Sequence, residues 1–204
     1  MKRHGHRLFA AALAAFVFGL FAVAEAADQT RHIRGTVIEL KDGKAVIKTN
    51  SGKTEEFTFG EKTRQFSVTV ADITAITRDQ FVGVTSFEKD GKRFAREVHI
   101  FAEALRGTGE GDRPWDLEDE GNHMTNANIG TVDTVGADRM LKLDYKDGSQ
   151  SIAIPATAKI VLLDKAKEAM KKDDKVFVRV KAAEGGGNEA VLLIIGANGE
   201  APPM

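Results

Sequence analysis

The side chains with chemistry to offer gather in one short stretch. Residues 106–124, RGTGEGDRPWDLEDEGNHM, carry Asp112, Arg113, the single Trp of the chain (Trp115), Asp116, Glu118, Asp119, Glu120, His123 and Met124. Carboxylates are hard oxygen ligands suited to calcium, whereas imidazole and thioether suit copper or zinc. A calcium loop needs D-x-[DN]-x-[DN]-G, and here Asp116, Glu118 and Glu120 alternate but Gly121 falls one place late. A transition metal would instead draw on His99, His123 and Met124 with Asp112 and Asp116, and His32 is the other His beyond the N-terminal segment. Trp115, Arg113 and Glu118 combine a large aromatic with both signs of charge and are the candidates for contact with a ligand or partner.

The stretch belongs to a longer connector, 104–127, that reads in two ways. Its Gly and acidic residues suit a solvated linker. Pro114-Trp115 argues for an ordered strap, because an indole is costly to leave in water and is expected to dock. An ordered strap between domains is a place for a ligand cleft. Catalytic constellations are missing: there is no G-x-S-x-G, H-E-x-x-H, P-loop or G-x-G-x-x-G, and Gly107-Thr108-Gly109-Glu110-Gly111 opens no helix. The expectation is a non-enzymatic binding protein with no resident cofactor, a transition metal being the alternative.

The N-terminus sets the compartment. Lys2, Arg3 and Arg7 precede the apolar run 8–23, and Ala24-Glu25-Ala26 follows. This is the pattern of a secretory signal cut after Ala26. The run is short of the roughly 20 residues that span a bilayer, so no integral membrane segment is expected after cleavage, and the protein is expected to be periplasmic or secreted. Residues 27–204 carry 26 basic and 29 acidic side chains, a net charge of −3. Such a balance disfavours nucleic acid, which needs a basic face. An envelope protein or a small ligand is the expected partner. The absence of Cys excludes disulfides, thiolate metal sites and thiol chemistry.

The elements that must position these residues are duplicated. Gly35-Thr36-Val37 recurs as Gly130-Thr131-Val132, and at the same offset of 95 residues Phe57 matches Ile152, Phe59 Ile154, Asp79 Asp174, Val82 Phe177, Gly91 Gly186 and Ile100 Ile195. A constant offset means a repeated unit. Within the first unit, alternation and Gly turns predict strands over 33–40, 44–49, 53–59, 79–88 and 92–101, with 65–76 open between strand and short helix. In the second they predict strands over 128–135, 139–145, 149–154, 159–163, 174–182 and 188–196, with a helix over 164–172. Seven Phe of the first unit (Phe57, Phe59, Phe66, Phe81, Phe87, Phe94, Phe101) are expected in the core.

Three strands, a connector, then two strands is the order of an OB barrel. The expected fold is all-β, with at most one short helix per repeat, as two tandem OB-like small barrels; a continuous sandwich of about ten strands is the competing architecture. The expected organisation is a signal peptide over 1–26, a domain over 27–103, a strap over 104–127, a second domain over 128–197 and a disordered tail over 198–204. The frame G-T-V, D-G-K and D-x-V, with HIFAEALRGTGEGDRPWD (99–116) and MTNANIGTV (124–132), resembles uncharacterised exported bacterial proteins with tandem OB-like domains, some of them labelled metal ABC transporter permease. The resemblance covers about 33–197 and implies a fold and an exported location, with no catalytic residues to carry over. A permease needs several membrane spans, and this chain has one apolar segment.

Overall fold

The computed structural model describes residues 30–117, 121–136, 138–196 and 199–202. The segment 1–26 expected to be a signal peptide, Glu118, Asp119 and Glu120, and residues 198, 203 and 204 of the tail lie outside the described residues. The chain is all-β. Its strands are β1 (Arg31–Lys41), β2 (Lys44–Thr49), β3 (Thr54–Thr58), β4 (Arg64–Val70), β5 (Phe81–Lys89), β6 (Lys92–Phe101), β7 (Gly111–Pro114), β8 (Asn122–Val135), β9 (Asp138–Tyr145), β10 (Gly148–Ile154), β11 (Lys159–Lys165), β12 (Lys175–Ala182) and β13 (Asn188–Gly196).

Local chemistry places the turns. Asp42-Gly43 and Asp90-Gly91 all have positive φ, which a tight two-residue hairpin turn requires at both positions. Gly35 answers a different need. There β1 is paired on both sides, to Thr49 and to Val176, and a Cβ would fall onto the Lys48 backbone. A side chain at this point would push β2 off β1, which accounts for the Gly of the repeated G-T-V.

The strands close into two rings, and neither ring is one repeat. One runs β1-β2-β3-β13-β12 and back to β1; the other runs β8-β9-β10-β6-β5 and back to β8. Each has the strand order of an OB barrel, with its last two strands supplied by the other repeat. Contiguous barrels over 27–103 and 128–197 would pair β1 with β5 and β8 with β12, whereas the partners are β12 and β5. Those boundaries therefore mark the repeats and not the barrels. The extra strands β4 and β11 run side by side and antiparallel between the rings, in the order β6-β11-β4-β13. Val68 pairs with Leu163, its own counterpart at the repeat offset, so a pseudo-twofold axis passes through this pair.

Three apolar clusters follow. One fills the ring of β5, β6 and β8–β10 around Val84, Val98, Leu141 and Leu143. A second fills the ring of β1–β3, β12 and β13 around Ile47, Phe57, Val178 and Leu193. The third lies between them, with Phe66, Val68, Leu163, Phe177 and Ile194, and Trp115 packs against it.

Four expectations are corrected. Residues 164–172 are the end of β11 followed by bends and turns, not a helix. Pairing of Lys165 with Phe66 and burial of Met170 in the second cluster hold that segment extended, which overrides its helix-forming composition. Residues 122–127 belong to β8, where they pair with β5, and are not strap. Phe87 and Phe94 are half-buried and stack on each other at 5.9 Å under the Arg96 guanidinium, outside all three cores. In the tail, Pro202 is buried rather than free.

Because each ring is built from strands of both repeats, the chain is expected to melt in one cooperative transition. Leu143→Ala in one ring and Ile47→Ala in the other should each destabilise by about 2–5 kcal/mol. Calorimetry should show one peak moving down in both variants; a peak that splits would mean the rings unfold independently.

Candidate functional site

β6 alternates in a way that normally marks a strand with one wet face. Val98 and Ile100 point into the barrel core, so Glu97, His99 and Phe101 point out of it. Yet Glu97 and His99 are buried, at 1% and 2% exposure. All the buried polar residues except Thr63, among the described residues, lie on β5, β6 and β8: Thr85, Ser86, Glu97, His99, Asn122, Thr125 and Asn126. The outer face of the second ring is polar and covered.

The repeat provides an internal comparison for this face. His99 pairs with Gly83 and Glu97 with Thr85; in the other ring Ile194 pairs with Phe177 and Leu192 with Arg179. Pairing therefore equates His99 with Ile194, Glu97 with Leu192 and Gly83 with Phe177. It also sets Val82 opposite Val176 in the repeat rather than Phe177, a loop one residue shorter having shifted the offset. One copy is apolar at these positions, so the fold does not require Glu and His there. Gly83 is also particular. A Cβ on it would meet Asn126 Oδ1 at 2.8 Å and His99 Nδ1 at 3.1 Å, so its bare backbone makes room for both side chains.

Glu97 Oε1 and His99 Nε2 are in direct contact, and neither has a hydrogen bond to any further group among the described residues. Burial pushes the Glu97 carboxyl well above its usual range, against the opposing charges of Lys159 and Arg34. Burial likewise takes the His99 imidazole down to about 3. Both groups are held neutral, since isolated charges are costly to keep out of water. The carboxylic acid then donates to the ring nitrogen.

His99 and Asn126 open into a half-open cavity of about 160 Å³ at the pseudo-twofold between the rings. Its other wall is His32, Phe177, Arg179, Leu192 and Ile194, and the strap roofs it with Leu105, Arg113 and Trp115. The strap is tied down by β7, which pairs with β8, and by Trp115 N donating to Asn122 O at 2.8 Å. The Trp115 ring lies 4.7 Å from His32 and stacks on Phe177 at 6.1 Å. Among the described residues its buried Nε1–H has no acceptor and the buried Asn126 Oδ1 no donor. Such groups are rarely left unpaired. A wider groove of about 710 Å³, beside Phe87, Phe94 and Arg96, mixes Asp90 with Lys89 and Lys159 and opens to solvent; its charge balance is that of ordinary surface.

The residues expected to ligate a metal are brought to three separate places. Asp112 is held by Arg93 at 2.7 Å, by Thr125 at 2.6 Å and by His123 Nδ1 at 3.0 Å. Partial burial would raise its pKa, but the Arg93 and Thr125 hydrogen bonds and the Arg93 charge hold it below the carboxylate range. Asp116 accepts from Arg34 at 2.9 Å and from His32 Nδ1 at 2.8 Å, and the same balance keeps it ionised. In both sites a guanidinium occupies the place a cation would take. Met124 is buried on the opposite face of β8 from His123 and lines the cavity with His99. Among the described residues no three His or acidic groups are placed to hold one ion. Trp115 and Arg113 do meet, the guanidinium lying 5.6 Å from the ring centroid, while Glu118 falls outside the described residues. Sequence reasoning missed Glu97, Asn126, Gly83, Arg64 and Arg179; the one signal was Glu97 and His99 standing where the other repeat has Leu192 and Ile194.

No protein family, curated protein or solved structure matches the chain.

The buried pair gives stability a defined pH dependence. The unfolded chain loses the Glu97 proton above about 4.5, while the folded chain keeps it, so this contribution is lost as pH rises. The unfolded chain protonates His99 below about 6.5, and the folded chain only near 3, so that contribution is lost as pH falls. Between 4.5 and 6.5 the two slopes cancel. Glu97→Gln should remove the alkaline decline of Tm and keep the acid one. A variant that still declines above pH 7 as steeply as the parent would contradict the neutral pair.

Proposed function

We propose that this is an exported, non-enzymatic binding protein whose ligand site is the cavity between the two barrels, beneath the strap. The observation that carries this reading is the outer face of β5, β6 and β8: polar and buried, with Glu97, His99 and Gly83 where the other repeat has Leu192, Ile194 and Phe177, and with Trp115 Nε1 and Asn126 Oδ1 lacking partners among the described residues at the cavity. A covered polar face that is not needed by the fold and not internally satisfied is a site for a molecule that satisfies it. The volume suits a small ligand rather than a protein segment. Binding, rather than catalysis, is supported by the chemistry of the wall. Held neutral, Glu97 and His99 offer one shared proton, and the hydroxyl of Thr85, which pairs with Glu97, donates to Met124 Sδ. The N-terminal charge, apolar run and A-x-A support export.

Trp115 is the only Trp, so its emission reports on this site alone. Titration with a mixed panel of small acids, bases and neutral compounds should shift that emission for at least one of them. Asn126→Leu, which leaves a similar volume and removes the amide, should weaken the same compound by about tenfold, the worth of one hydrogen bond of about 1.4 kcal/mol. Gly83→Ala, which fills the space held open for His99 and Asn126, should weaken it comparably. No shift with any compound would sink the reading. For export, the chain recovered from the cell envelope should begin at Ala27 by mass.

A further inference from the structure

The charge of the cavity narrows what it can hold. Arg64, Arg113 and Arg179 line it together with His32 and His99, and among the described residues none that lines it is acidic. Arg113 carries its guanidinium over the Trp115 ring and gives one N–H to Gly109 O at 2.9 Å. Burial and the nearby positive charge of Arg179 both lower the Arg113 pKa, with Asp112 opposing them. Two guanidiniums thus share a partly dry space with the unsatisfied Trp115 Nε1–H. A guanidinium at the edge of a low-dielectric pocket is stabilised by an anion placed beside it. A guanidinium fork matches the planar two-oxygen geometry of a carboxylate.

The remainder of the wall is apolar: Phe66, Phe101, Leu163, Phe177, Leu192 and Ile194. The volume of about 160 Å³ is close to the ~150 Å³ of a dry cavity that holds a benzene-sized body. An inorganic oxyanion would leave this apolar wall against water, and a large amphiphile would not fit within it.

We infer that the cavity takes a small organic carboxylate with a body about the size of one ring, its carboxylate beside Arg113 and the Trp115 indole N–H and its apolar part against Phe66, Leu163 and Ile194. This rests on the reading of the cavity as the ligand site and names the class of ligand. The carboxylate satisfies the donors of the strap wall, and the ring replaces water against the apolar wall. Asn126 Oδ1, an acceptor, faces the same space and favours a ligand that also carries a hydroxyl or amine hydrogen.

The test uses the full-length protein, with benzoate, 4-hydroxybenzoate, benzyl alcohol and inorganic phosphate as probes, read by calorimetric titration and Trp115 emission. Both benzoates should bind, and benzyl alcohol and phosphate should each bind at least about tenfold more weakly, charge-assisted pairs being about twice as strong as neutral ones. Arg113→Gln should weaken benzoate by about tenfold or more and leave benzyl alcohol unchanged, with Arg113→Lys intermediate; an unchanged melting temperature without ligand shows that the variants fold. Benzyl alcohol binding as tightly as benzoate, or Arg113→Gln leaving benzoate unchanged, would overturn the anionic class while the cavity reading stands. Phosphate binding as tightly as benzoate would overturn the apolar body. If no probe binds but another compound of the mixed panel shifts Trp115, the ligand class is wrong and the site is right; if nothing shifts Trp115, both fall.

Discussion

β1 pairs with β12, and β5 pairs with β8. Each barrel is therefore closed by a hairpin from the other repeat, and everything else in the molecule follows from this exchange. Without the β12–β13 hairpin, β1–β3 would lack the last two strands of its ring and expose one side of a barrel core to water. Closing each ring with the other's hairpin buries both cores and forces β4 and β11 together in the middle. The exchange also sets equivalent outer faces of the two rings toward each other across the pseudo-twofold. The cavity is the space left between those faces.

Pseudo-symmetry would line that space with the same side chains on both sides if the repeats were identical. They are not. One wall has Phe177, Leu192 and Ile194, and the other has Gly83, Glu97 and His99 at the paired positions. Replacing an aromatic by a glycine opens volume, and replacing two aliphatic side chains by a carboxyl and an imidazole places polar atoms in it. The two groups remain neutral because burial disfavours charge on each, and their mutual contact replaces part of the lost hydration. Divergence at three paired positions turns a packing interface into a half-open chamber with a wet-type lining.

The strap roofs the cavity and defines the charge. Its described acids Asp112 and Asp116 are not among the residues that line the cavity. Asp112 is held by Arg93, Thr125 and His123, and Asp116 by His32 and Arg34, which leaves Arg113 and the Trp115 indole turned inward. A stretch that is acidic in composition thus presents a cationic surface to its own interior. The distinction matters for metal chemistry, because ligands judged by residue type were already committed to arginine.

Much of the architecture was legible from residue order. Alternating apolar positions, the Asp42-Gly43 and Asp90-Gly91 turns and the repeated G-T-V identify the strands, the all-β class and the duplication, since these depend on local backbone geometry and on a period of two. The N-terminal pattern is likewise a local signal. The docking of Trp115 follows from the cost of an exposed indole. What only the tertiary structure decided was partnership across the chain. Hairpin exchange is invisible in sequence, because a β5–β6 hairpin fits either copy of β1–β3 equally well by local criteria. The helix expected over 164–172 gave way to strand pairing for the same reason: a neighbour distant in sequence supplied the hydrogen bonds. Glu97 and His99 alternate with core residues and so read as solvent-facing; whether such a face meets water or another barrel is set by long-range packing, and no period in the sequence encodes it.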